Sequence, residues 1–180
     1  MPVVVPPPAR HARRTRRRRR LLRIALLLLA FNLVIPPYVR PVPGAVTSRY
    51  FLRTRPESAN PLALEVHKGI DFAAPRGSPV RAAKSGIVDT VGSSPTLGTY
   101  VIIRHWLGFS TLYAHLESAR TRPGRPAVKW ARIGSAGQSG RATGPHLHFE
   151  VRWLGRRLPP GPFLAIDSAR SALWSLIRPG

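Results

Sequence analysis

The 180-residue chain contains no cysteine. Disulfides, thiolate metal sites and a cysteine nucleophile are thereby excluded. Acidic residues are also scarce, with seven Asp+Glu against 29 Lys+Arg, for a formal net charge of +22. With six histidines, only thirteen side chains could ligate a metal through nitrogen or carboxylate oxygen. No amphipathic helical stretch of useful length precedes residue 163, and no internal repeat is apparent. A hydrophobic content of 43% nevertheless excludes global disorder. The length suits one compact domain of about 100–150 residues with an appendage.

The charge is unevenly placed. Residues 1–23 hold nine arginines and no acid, while residues 24–180 still carry a net +13. An arginine run invites a nucleic-acid reading, but the following segment, Ile24 to Ile35 (IALLLLAFNLVI), has Asn32 as its one polar member. A basic flank before an apolar run is the pattern of a signal peptide or an N-terminal anchor with its arginines held in the cytoplasm. A spanning helix wants about 20 apolar residues. Leu21 through Val39 reaches nineteen, but that count includes Arg23 and the Pro36-Pro37 pair. Neither Ala30 nor Ala45 completes a small-x-small cleavage site, so an uncleaved anchor is preferred over a cleaved signal. Either puts the remaining chain outside the cytoplasm, held at the inner membrane or secreted, with no nucleic-acid partner.

The expected organisation is a basic tail over 1–23, an apolar core over 24–35, a Pro-rich linker over 36–46, a domain over 47–165 and a tail over 166–180. The linker carries four prolines and should be an extended, semi-rigid spacer. Within the domain, Pro79–Ala82, Gly86–Val91, Thr99–His105, Phe109–His115 and Leu147–Trp153 read as strands, rich in Val, Ile, Tyr and Phe between Gly, Pro or Ser. Tyr100 to Ile103 is nearly continuous in apolar residues and reads as a central strand. Ala165–Ile177 could form a short C-terminal helix capped by Asp167 or Ser168. The fold class is therefore all-β, a compact antiparallel β-sandwich or barrel-like domain.

Five of the six histidines fall in that domain. His146 and His148 form H-L-H, and on a strand residues i and i+2 share a face. His67 and Asp71 form H-K-G-I-D, where Gly69 disfavours a helix and a turn into a strand should bring the two side chains together. Two His and one Asp suit Zn²⁺ with a position left for water, as in catalytic sites. Spacing alone leaves a metal site and ordinary structural histidines both open. His105 has no partner spacing and reads as structural.

The flanking residues decide. HKGIDFAAPRGSPVRAAKSGIV (67–88), GTYVIIRHWLGFSTLYAHL (98–116) and GQSGRATGPHLHFEVR (137–152) closely resemble the lysostaphin-type, LytM-like zinc endopeptidases that cleave cell-wall peptidoglycan. The resemblance implies a duplicated-hybrid-motif type of β fold with zinc on the floor of a groove. It implies His67, Asp71 and His148 as metal ligands. It implies His115 and His146 as the catalytic pair beside a metal-bound water that attacks the peptide bond. Peptide stems of peptidoglycan are the implied partner. The alternative within the same resemblance is a non-catalytic LytM-like module that binds and activates a cell-wall amidase.

Three further expectations concern the surroundings. Gly140 and Gly144 would either admit a peptide backbone or form a tight turn, and Ser139 and Thr143 could bond substrate amides, with solvent exposure the preferred reading. Ser58 to Val66 (SANPLALEV) lacks the aromatics expected along that edge of the groove. The basic body could be drawn to anionic wall polymers by long-range attraction.

Overall fold

A computed structural model of the chain describes residues 23, 38–54, 60, 62 and 64–164. The apolar run, the basic tail apart from Arg23, and the helix expected over Ala165–Ile177 lie outside the described residues. Among the described residues no helix is long and apolar enough to cross a membrane. The chain divides into residues 1–36 and 37–180, and the strands all belong to the second unit.

The strands are β1 (Val46–Ser48), β2 (Phe51–Thr54), β3 (Leu64–His67), β4 (Ile70–Ala73), β5 (Pro79–Arg81) and β6 (Gly86–Ser94). They continue with β7 (Gly98–Arg104), β8 (Phe109–Ala119), β9 (Pro126–Ala127), β10 (Arg132–Ala136), β11 (His146–Trp153) and β12 (Arg156–Leu158). The domain is antiparallel and all-β, and it takes the form of an open, branched sheet. Its main path runs β1-β4-β11-β8-β7-β6-β9, with β12 on β11 and β10 bridging β5 and β8. β2 and β3 form a separate ribbon.

β7 lies between β8 and β6, and its Val101 and Ile103 are fully buried. β11 lies between β4 and β8 and alternates strictly: Leu147, Phe149 and Val151 point into the core, with His146, His148 and Glu150 on the other face. Phe149 packs against Phe72 of β4 and Tyr113 of β8, with ring centroids 6.4 and 5.4 Å apart. These three strands form the floor of the candidate site.

The linker expected over 36–46 is corrected from Tyr38 onward. Tyr38, Val39 and Val42 are buried. The Val39 N–H donates to the Ala83 carbonyl at 2.9 Å, and Arg81 N–H donates to Pro41 at 2.9 Å. The prolines do favour extension, but the apolar residues between them give an extended strap a face worth removing from water. Tyr38 meets His105 and Phe163 edge-on, and the Lys84 ammonium lies 4.9 Å from its ring centroid. Tyr38→Ala should cost about 3–5 kcal/mol of stability, the range for a buried aromatic. Tyr38→Phe should cost little, since the hydroxyl has no partner among the described residues. Urea unfolding of the two variants checks the difference.

His105 is structural, as expected. Its Nδ1–H donates to the Ser85 carbonyl at 3.0 Å, and Nε2 lies 2.9 Å from the Thr111 hydroxyl, which is 3.1 Å from Tyr113 Oη. Burial, with Lys84 adding to it against the Ser85 hydrogen bond, holds its pKa down at about 4. The ring is therefore neutral and part of a buried polar chain.

Candidate metal centre

Three strand ends bring the site together. His67 closes β3, Lys68 and Gly69 turn the chain, and Asp71 enters on β4. A Cβ on Gly69 would lie 2.4 Å from the Phe149 carbonyl oxygen and 2.9 Å from the His148 ring, so only glycine lets this turn approach β11 so closely. His148 on β11 stands opposite Asp71 in the β4–β11 register and opposite Ala114 on β8. All three side chains are at least nine-tenths buried.

Their functional atoms converge. Asp71 Oδ1 lies 3.1 Å from His67 Nε2 and 2.8 Å from His148 Nδ1, and the two nitrogens are 3.2 Å apart. The outer partners fix how each ring presents itself. His67 Nδ1 is 2.7 Å from the Arg49 carbonyl, which can only accept, so that nitrogen carries the proton and Nε2 offers a lone pair. His148 Nε2–H donates to Glu150 Oε1 at 3.3 Å, which turns Nδ1 inward as an acceptor. Two lone pairs and a carboxylate oxygen therefore aim at one point, an arrangement that calls for a cation. The donor set of two imidazoles and one carboxylate, with orienting partners behind, fits a metal such as Zn²⁺.

The electrostatics agree. Burial pushes Asp71 up, but when a proton takes the place of the cation between them, hydrogen bonds from His148 and His67 outweigh burial and hold the carboxyl well below the usual carboxylate range. Burial pushes His148 down, but Asp71 and Glu150 more than offset that and raise it. The pocket is built for positive charge, which a proton on His148 or a metal ion would supply.

His115 and His146 stand over this cluster. His115 has φ +58, a left-handed conformation, where the β7–β8 register shifts between Thr99 and Val101. Such a bulge re-aims a side chain at some backbone cost. Its ring is 4.7 Å from that of His146 and 5.9 Å from that of His148. His115 Nδ1–H donates to the Ser139 carbonyl and His146 Nδ1–H to the Gly144 carbonyl, each at 2.8 Å. Both rings thus carry a free Nε2 lone pair, that of His146 lying 3.9 Å from Asp71 Oδ1. Burial, with some repulsion from His146 and His148, lowers the His115 pKa to about 4 against the opposing Ser139 hydrogen bond.

The five residues singled out from the sequence are therefore brought to one place. Ser139 is a correction. It is not merely solvent-exposed: its hydroxyl accepts from Thr99 N–H and donates to the Leu116 carbonyl, fixing the loop that orients His115. Gly140 belongs to the same brace, since a Cβ there would lie 2.1 Å from Gly98 N. Thr143 is exposed, as expected. Phe51 pairs with His67 in the β2–β3 register and is 64% exposed at φ +97, but it lines the neighbouring apolar cleft rather than the one that holds the histidines.

Glu150 was missed by the sequence reading, although the alternation that paired His146 with His148 extends to it. It is 1% exposed and receives Arg152 and Arg157 on Oε2 at 2.7 and 3.2 Å while holding His148 with Oε1. Burial raises its pKa, but His148 and Arg152 win and bring it to about 2. Glu150→Gln should weaken metal affinity about 10–100-fold, the usual effect of losing an orienting partner. Competition with a chromogenic chelator would read this directly.

A buried imidazole–carboxylate–imidazole cluster on an antiparallel sheet lies beneath two further imidazoles, an arrangement able to hold a metal ion. The model of peptidase family M23 matches residues 65–160, and the chain belongs to that family. The match takes in all five residues.

It is 45% identical over 96 residues to the DD-carboxypeptidase/endopeptidase Mpg of Neisseria meningitidis, which covers 53% of this chain and 22% of that protein. It is 39% identical over 103 residues to the peptidoglycan DD-endopeptidase ShyA of Vibrio cholerae, covering 56% and 24%. The chain thus spans under a quarter of the length of these relatives. Among solved structures, a zinc-containing peptidase from Vibrio cholerae aligns with TM-score 0.61 and 34% identity, covering 68% of this chain and 39% of that one. A chain of the SpoIIQ–SpoIIIAH pore-forming complex aligns with TM-score 0.63 and 25% identity, covering 75% and 98%.

Proposed function

We propose that the chain is an exported, zinc-dependent endopeptidase that hydrolyses peptide cross-links of peptidoglycan. The observation that carries this reading is the convergence of three acceptor atoms, those of His67, Asp71 and His148, beneath two imidazoles with free Nε2 lone pairs. His67, Asp71 and His148 would hold the metal. A bound Zn²⁺ supplies Lewis acidity toward a carbonyl oxygen and acidifies water.

The chain's own residues do the rest. Nε2 of one free histidine takes a proton from the attacking water as its oxygen adds to the scissile carbonyl carbon, then delivers it to the leaving nitrogen as the C–N bond breaks. The other donates to the tetrahedral oxyanion once it has taken up a second proton, at Nε2, while its Nδ1–H stays on its backbone carbonyl. A cleft of about 500 Å³ holds His67, His115 and His148 together with Lys68, Arg141 and Leu97. Its cations suit the free carboxylates of a peptide stem. A larger, more apolar cleft of about 680 Å³ beside Phe51 and Phe72 contains none of the five site residues. The names of the two relatives favour a bond between D-residues as the point of cleavage.

Residues 1–35 are proposed to tether the domain at the outer side of the cytoplasmic membrane.

The second reading is a non-catalytic module that activates a separate amidase; beside it stands the likeness to a chain of the SpoIIQ–SpoIIIAH pore-forming complex, which is named for its assembly and not for hydrolysis. The five filled positions weigh against it. Digestion of purified sacculi by the detergent-solubilised chain, with and without chelator, tests both by mass spectrometry of the released muropeptides. Chelator-sensitive loss of cross-linked dimers is expected. A chain that carries stoichiometric zinc but leaves dimers intact would sink the hydrolase, and one without zinc that stimulates an amidase would establish the alternative.

A further inference from the structure

A third cleft, of about 440 Å³, opens between the 120–127 segment and β10, and it shares no residue with the one that holds the histidines. Arg120, Arg122, Arg125 and Arg132 line it, all exposed, over a floor that includes the buried Ala127 and Ile133.

The backbone presents these arginines rigidly. Arg122-Pro123-Gly124-Arg125 closes a tight turn in which Arg125 N–H donates to the Arg122 carbonyl at 3.2 Å. Proline at its second position and Gly124 at φ +80 in its third are the signature of a type II turn. The turn is pinned to β6 on both sides: Gly124 N–H donates to Val88 O at 2.8 Å, and Val88 N–H donates to Arg125 O at 2.9 Å. On the far wall Arg132 stands directly opposite Arg81 in the β5–β10 register. Like charges facing across an antiparallel pair are destabilising. Arg81 is held by the Trp130 carbonyl at 3.0 Å and Arg132 by the Gly134 carbonyl at 3.3 Å.

No described acid answers this charge. Glu65, Asp89 and Glu117 pair with Arg141, Arg104 and Arg76, and Asp71 and Glu150 belong to the histidine cluster. An ordinary solvated face intersperses the two signs, and a fold gains nothing from facing arginines. The arrangement suits a ligand that brings several negative charges at once. Guanidinium forks match phosphate oxygens in pairs. A concave recess also admits a chain better than it meets a flat headgroup layer, which would touch only the rim.

We propose that this cleft binds a soluble phosphodiester-linked polymer, independently of the peptidase site. The test uses the full-length chain in detergent and fluorescently labelled poly(glycerol phosphate), followed by anisotropy. Arg122→Glu with Arg125→Glu should weaken binding at least about tenfold at ~0.1 M salt, with thermal midpoint and metal content as folding controls. Arg122→Glu alone should weaken it clearly more than Arg156→Glu, an equal charge change on exposed β12. Equal losses in those two variants would overturn the site in favour of bulk charge, and so would absence of polymer binding by the wild type. Because exposed Val128 and Trp130 lie beside the cleft, a lipid arm is included. Displacement of the polymer by short-chain phosphatidylglycerol, at concentrations where inorganic phosphate fails, would reassign the cleft to membrane headgroups and also overturn the proposal.

Discussion

Asp71→Ala is expected to abolish both metal retention and turnover. The carboxylate supplies the cluster's anionic ligand, and it is held ionised by His148 and His67. Its removal leaves two imidazoles and no anionic ligand to hold a dication in a pocket shielded from water. Loss of the metal's stabilisation of developing charge, about 4 kcal/mol, corresponds to about 10³-fold in rate. Elemental analysis after dialysis, alongside sacculus digestion, reads the two effects separately. Asp71 is buried against β11, so circular dichroism must show that the variant folds. A folded Asp71→Ala protein that keeps its metal and its rate would remove the assigned ligand set.

His115→Ala and His146→Ala should behave differently: turnover falls about 10²–10⁴-fold, the span of general acid–base catalysis, while metal content stays near wild type. Neither ring belongs to the converging triad, and each is oriented by a backbone carbonyl, Ser139 or Gly144. The pH profile separates catalysis from mere packing. A base works only when deprotonated, and His115 has its pKa lowered to about 4, chiefly by burial. Its contribution should therefore persist as pH falls through the ordinary histidine range and disappear only near pH 4. An acid limb near 6.5 that vanishes in His115→Ala would contradict this assignment, and metal loss in either variant would move that residue into the ligand set.

The core strands were legible because their side chains carry a periodic signal. Tyr100–Ile103 marked the interior of β7, and the alternation from His146 onward gave the two faces of β11. The short strands were not. β1, β3 and β12 have three or four residues each, with several exposed positions, and pairing with longer neighbours defines them. The site shows the same division. H-x-x-x-D and H-x-H singled out candidate donors, since both spacings act within one turn or strand, while the choice of His148 over His146 as a ligand came only with the resemblance of the flanking blocks. The groups that orient the rings were not legible, because Arg49 and Ser139 act through backbone carbonyls 18 and 24 positions away from the histidines they hold. A carbonyl has no letter in the sequence. The bulge at His115 was equally hidden, since a non-glycine residue at positive φ is imposed by the surrounding register.

The packed strap has a consequence for maturation. Removal of a leader after Ala45 would also strip away Tyr38, Val39 and Val42, unroofing Ala83, His105 and Lys84. A cut after Ala30 would leave them in place. Any processed or recombinant form meant to stay folded must therefore begin upstream of Tyr38, and a fragment starting at residue 46 would expose the apolar floor that the strap covers.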